Sequence, residues 1–219
     1  MSEASGAMQP TCLALGDSYT IGEGVSPSER WPARLAVRLR ETGVAIAEPT
    51  IVARTGWTTD ELAAAIDATP LVPPYALVTL LIGVNNQYRG RSAAEYRDEF
   101  RTLLARAIGF AGGRAQRVVV LSIPDWSATP FAADRDRPRI AREIDEFNVV
   151  NRDEAARVDA RYVDVTVASR TAAGDLAFVA ADGLHPSAAA YDQWARLVLP
   201  VAAAILGRRA ADRADRGRG

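Results

Sequence analysis

The run YALVTLLIGVNN, residues 75–86, constrains the fold more than any other stretch. Its Leu, Val and Ile residues follow one another without the polar alternation of a half-exposed strand. Such a strand is buried on both faces, as in the centre of a parallel sheet. Four other segments read as strands: 11–16 (TCLALG), 45–54 (AIAEPTIVAR), 117–124 (RVVVLSIP) and 161–166 (RYVDVT). Pro49 marks the second of these as an edge strand or one with an irregular start. Helical patterns fall between the strands at 30–42, 58–69, 92–111, 138–158 and 187–206. In the last of these, Tyr191, Trp194, Leu197, Val198, Val201 and Ile205 form the expected buried stripe, and Pro200 predicts a kink.

Strand–helix alternation repeated about five times predicts an α/β fold, an open parallel sheet covered by helices on both faces. Ligands of such sheets bind outside the carboxyl ends of the strands. Chemistry is therefore expected at Gly16-Asp17-Ser18, Arg54-Thr55-Gly56, Gly83-Val84-Asn85 and Ile123-Pro124-Asp125. A length of 219 residues fits one domain. Its expected bounds are 11–207, with a flexible N-terminus at 1–10 and a disordered charged tail, RRAADRADRGRG, at 208–219.

Composition narrows the chemistry. All 26 basic residues are arginine. Without lysine there is no Schiff-base lysine, no Ser–Lys dyad and no Walker-type phosphate lysine. A net charge of −1 and the lack of a basic stripe argue against a nucleic-acid partner. Cys12, the single cysteine, has no internal disulfide partner and reads as a small buried hydrophobe. The first residues lack a signal-peptide pattern, and no apolar run approaches the ~18 residues of a membrane span. The expectation is a cytoplasmic protein with no membrane span.

Ser18 stands where the first strand ends, with Gly22 and Gly24 following. His185, the one histidine, lies in the turn-forming sequence DGLHPS just before the last helix. Asp182, three residues earlier, can fold back across Gly183 to accept the Nδ1 proton. Nε2 is then free to take a proton from Ser18, which is the triad arrangement. One histidine and one buried cysteine do not make an ordinary zinc site, so no metal is expected. Acyl transfer also needs donors for an oxyanion. The candidates are the N–H groups of Ser18 and Gly56 and the side-chain amide of Asn85.

These blocks, in the order Gly16-Asp17-Ser18, Gly56, Gly83-x-Asn85 and Asp182-x-x-His185, resemble the SGNH hydrolases, also called GDSL-type esterases and lipases. The resemblance spans residues 13–186 and implies a three-layer α/β/α sandwich with a flavodoxin-like five-stranded sheet. It further implies a Ser18–His185–Asp182 triad, an oxyanion hole from Ser18, Gly56 and Asn85, a small-molecule ester substrate and no cofactor. Members cleave esters or thioesters, and some deacetylate carbohydrates. The chain departs from the pattern at Tyr19, where leucine is usual, and at Asn86, where aspartate is frequent; Asn86 keeps hydrogen-bonding capacity but loses a charge. Asp17 is expected to brace the serine loop by accepting backbone N–H bonds. The long connection at 123–138 brings Trp126 and Phe131 as pocket candidates, with Trp57 beside Gly56. A non-catalytic flavodoxin-like binding module is the competing class. The first loop, however, matches neither phosphate-binding glycine motif and leaves the Asp182–His185 pair unexplained.

Overall fold

The computed structural model describes residues 9–172 and 174–216. Its strands are β1 (Cys12–Gly16), β2 (Thr50–Ala53), β3 (Leu77–Leu81), β4 (Val118–Leu121) and β5 (Arg161–Val163). They form one sheet in the order β2-β1-β3-β4-β5, and every pairing is parallel. All five residues of β3 are buried, Thr79 among them, as expected of a central strand covered on both faces. β2 is an edge strand that begins just after Pro49, so the irregular start expected at 45–49 is coil.

The helices are α1 (Ser18–Ile21), α2 (Trp31–Glu41), α3 (Thr59–Ala68), α4 (Val84–Tyr88), α5 (Ala93–Phe110), α6 (Arg137–Arg157), α7 (Thr166–Ala172) and α8 (Ala188–Arg216). The chain steps one way from β1 to β2 and the other way from β2 through β3 and β4 to β5. Right-handed crossovers then put the first connecting helix on the opposite face from the next three. The packing agrees: α2 lies on α8, and α5 lies between α3 and α6. The result is three layers, α/β/α. The reversal of direction beside β1 creates the crevice in which doubly wound sheets bind ligands.

Local sequence explains where these elements begin and end. The Thr58 N–H donates to the Glu61 carboxylate at 2.9 Å, half of a capping box at the start of α3. Ser92 and Glu95 open α5 in the same way. A side chain at Gly16 would collide with Thr20 and with the Leu81 carbonyl. The first turn of α1 can therefore fold directly over the end of β1 only because that residue is glycine.

Three sequence expectations need correction. Leu197 is 39% exposed. The buried seam of α8 runs through Tyr191, Trp194, Val198, Ala202 and Ile205 at helical spacing, and Leu197 falls beside it. The segment from 208, expected to be disordered, continues α8 through Arg216. Alanine and arginine are strong helix formers, and extending a helix avoids the cost of nucleating one. The connection at 123–138 is not plain loop, since short 3₁₀ turns occupy Trp126–Ala128 and Pro130–Ala132. Residues 1–8 and 217–219, which hold most of one expected flexible end and the tip of the other, lie outside the described residues.

Candidate active site

The ends of β1, β2 and β3 lie side by side, because Gly16 pairs with Ala53 on one flank and Leu81 on the other. Each strand hands the chain to a turn carrying one candidate residue. Ser18 begins α1, Gly56 lies in the loop before α3, and Asn85 is in the first turn of α4. All three line a cleft of about 240 Å³ together with His185. Trp126, Phe131, Tyr88, Val84 and Leu184 supply its apolar wall.

Ser18 is buried, and the residue before it, Asp17, caps α1 by accepting the Tyr19 N–H at 3.0 Å. That bond is the bracing role expected of Asp17. Its second carboxylate oxygen is buried with no hydrogen-bond partner. Burial pushes the Asp17 carboxyl up to about 7, against the hydrogen bond from the Tyr19 backbone. The folded chain thus holds this proton to higher pH than the unfolded chain, whose carboxyl titrates near 3.8. The resulting stabilisation is complete below about pH 4 and is lost as pH rises towards 7. Asp17→Asn keeps the oxygen that accepts the Tyr19 N–H and removes the titration. Urea unfolding from pH 4 to pH 8 is expected to show a gap in the mutant's favour that opens through this window and reaches a few kcal/mol. Parallel curves for the two proteins would show that burial of Asp17 carries no such linkage.

His185 sits in the turn before α8, with 8% of its surface exposed. Its Nδ1 lies 2.5 Å from Asp182 Oδ2. The other Asp182 oxygen accepts the backbone N–H groups of Leu184 and His185, each at 2.9 Å. Gly183 makes this bend at φ +72°, a conformation that favours glycine. Burial pushes the Asp182 carboxyl up, but the bonds from His185 and the two backbone N–H groups outweigh it. The net shift is downward, so Asp182 stays ionised. The Tyr19 ring meets the imidazole edge-on with centroids 5.8 Å apart, and Trp194 packs behind Tyr19. The aromatic residue that replaces the usual leucine therefore buttresses the imidazole.

Gly56 adopts φ +88°, and a Cβ there would meet nothing within 4 Å. Its backbone borders open space in the cleft, where a substrate can come close. Among the described residues, neither the Ser18 nor the Gly56 N–H is given over to a backbone carbonyl. Asn85 donates its amide to the Trp57 carbonyl at 2.9 Å, which leaves its second N–H proton. Next to it, the buried Asn86 accepts the Thr59 N–H at 3.1 Å. Its amide donates to Thr59 Oγ1 at 2.6 Å and to Glu99 at 3.2 Å. The charge missing at position 86 is supplied from α5 by Glu99.

Two of the three pocket candidates line the cleft. Trp126 is buried and fixed by its indole N–H, which donates to Gln87 at 2.8 Å. Phe131 is 42% exposed at the mouth, and its N–H donates to the Gly183 carbonyl at 2.9 Å. Trp57 does not line the cleft; its ring packs against the core, and the residue contributes its backbone carbonyl to Asn85. Tyr88 takes the place expected of Trp57, meeting Trp126 edge-on at 5.5 Å. Sequence reading missed Tyr88 because 84–86 reads as the tail of a strand, so the helix that begins at Val84 was not seen. As a helix, this segment puts Asn85, Tyr88 and Arg89 on one face. Among the described residues no group of acidic, histidine and cysteine side chains could hold a metal ion, and no helix is long and apolar enough to cross a membrane.

The GDSL-like lipase/acylhydrolase family model matches residues 14–193. Comparison with curated protein sequences gives no match. Among solved structures, TesA is similar at 25% identity and a TM-score of 0.69, over 89% of this chain and 99% of that one. A lipase/acylhydrolase from Enterococcus faecalis aligns at 22% identity and a TM-score of 0.71, over 91% and 96% of the two chains. The acetylxylan esterase Axe2 from Geobacillus stearothermophilus aligns at 19% identity and 0.69, over 88% and 94%. At these identities the last two show a shared fold.

Proposed function

Because the chain belongs to the GDSL-like lipase/acylhydrolase family and is a carboxylic ester hydrolase, we propose that it cleaves carboxylic esters or thioesters through an acyl-enzyme on Ser18. The observation that carries this reading is the 2.5 Å Asp182–His185 contact, held at the cleft that Ser18 lines. Asp182 fixes the imidazole with its Nδ1 proton outward, so Nε2 takes the Ser18 proton as Oγ attacks the carbonyl carbon. The carbonyl oxygen gains charge and is held by the N–H groups of Ser18 and Gly56 and by the Asn85 amide. Collapse of the tetrahedral intermediate expels the alcohol or thiol, which leaves with the proton from His185. Water repeats the sequence on the acyl-enzyme, with His185 again as base, and frees the acid.

The apolar wall from Val84, Tyr88, Trp126, Phe131 and Leu184 suits the acyl group of a small ester. Deacetylation of a carbohydrate and hydrolysis of a lysophospholipid or acyl thioester use the same chemistry with a different leaving group. The test combines labelling with turnover. A fluorophosphonate is expected to add once, on Ser18, as read by peptide mass. p-Nitrophenyl esters of graded acyl length are expected to turn over, with the profile sizing the cleft, and acetylated xylo-oligosaccharides and acyl thioesters test the other leaving groups. Labelling at any other residue, or turnover that survives complete labelling, would overturn the assignment.

A further inference from the structure

Resting on the oxyanion hole proposed above, the geometry points to Arg89 as a positioning residue for ester hydrolysis: it braces the Gly56 loop from α4. Gly56 has no side chain to anchor it, and its positive φ belongs to a residue that can rotate at little cost. A donor on such a residue is useful only if the peptides around it are held. Besides the turn bond from the Trp57 N–H to the Arg54 carbonyl at 3.3 Å, three side-chain contacts hold them. Thr55 donates its hydroxyl to Glu23, from the turn after α1. Asn85 donates to the Trp57 carbonyl at 2.9 Å. Arg89 Nη2 donates to the Gly56 carbonyl at 2.7 Å.

Two of these side-chain contacts come from α4 and the residue that caps its C-terminus, Arg89, one helical turn apart. α4 therefore contributes one proposed oxyanion donor, Asn85, and braces the loop that carries another. Arg89 is aimed by Glu61, 3.3 Å away, whose carboxylate also accepts the Thr58 N–H at the start of α3. The guanidinium thus spans the loop from the Gly56 carbonyl to the first turn of the helix that follows. Both side chains of the ion pair are about half exposed, 45% for Arg89 and 40% for Glu61. Pairs this exposed contribute little to stability, so a role in fold maintenance alone gives a weak account of the contact.

The experiment compares wild type, Arg89→Ala, Arg89→Lys and Ser18→Ala on a p-nitrophenyl ester, with active sites counted by fluorophosphonate titration. Per titrated site, Arg89→Ala is expected to lose on the order of 10- to 100-fold in kcat, the scale of a small misplacement of a catalytic group. KM should stay within about twofold, because a donor that acts on the transition state leaves substrate binding alone. Affinity for a trifluoromethyl ketone, which mimics the tetrahedral adduct, should fall in parallel with kcat/KM. Arg89→Lys, which keeps a cationic donor within reach of the carbonyl, should recover part of the loss. Wild-type kcat in Arg89→Ala, or a loss explained by fewer titrated sites, overturns the inference while an inactive Ser18→Ala leaves the proposed function standing. Full activity in Ser18→Ala overturns both.

Discussion

Ser18→Ala and His185→Ala are each expected to lower kcat on p-nitrophenyl esters by on the order of 10⁶, and the double mutant by no more than either alone. The non-additivity is the informative part. A serine hydroxyl without a base is a poor nucleophile at neutral pH, and a base without the hydroxyl has no proton to take, so either loss removes the whole covalent route. His185 is the only imidazole in the chain, and there is no lysine side chain to replace it as base. Asp182→Asn is a milder lesion, about 10⁴ in kcat, because the imidazole remains but its tautomer is wrong. The Asn side chain can still accept the Leu184 and His185 N–H groups, so circular dichroism and the melting temperature should change little. Losses that multiply in the Ser18/His185 double mutant would mean that the two residues act separately.

Asn85→Ala is expected to cost on the order of 10² to 10³ in kcat with KM little changed, the range for deleting one oxyanion donor. In the proposed mechanism Asn85 carries two duties. One proton goes to the Trp57 carbonyl and the other is left for substrate, so truncation also frees a loop carbonyl. Asn85→Asp separates these effects: it keeps the volume but offers acceptors where donors are needed. It is expected to be at least as poor a catalyst as the alanine variant. Comparing kcat for the two, alongside their melting temperatures, makes the distinction. An aspartate variant as active as wild type would remove Asn85 from the oxyanion hole.

Much of the architecture was legible because the sheet is buried on both faces. The runs at 77–81, interrupted only by Thr79, and at 118–121 lack the polar alternation of a half-exposed strand, which points to central parallel strands. The triad candidates were legible for a different reason, since one histidine with an aspartate three residues before it leaves little choice. What stayed hidden was the supporting structure, because it depends on long-range contacts. Nothing near Arg89 in the sequence points to Gly56, 33 positions away. Trp57 was misread because adjacency to Gly56 in sequence was taken for adjacency in the cleft. The chain turns at Gly56, and the ring of the next residue packs against the core. Tyr88 was missed because five residues after a strand are too few for helical periodicity to register.

The distance along the chain between Ser18 and His185 has a consequence for synthesis. Ser18, Gly56 and Asn85 leave the ribosome before His185, and the strands that carry them pair with one another as β1, β2 and β3. His185 follows all five strands, in the turn before α8, which packs on α2. A nascent chain halted after β4 holds the proposed nucleophile and every proposed oxyanion donor, yet lacks the imidazole. In the proposed mechanism the base is thus the last group to be added, and a chain halted there is expected to leave esters intact.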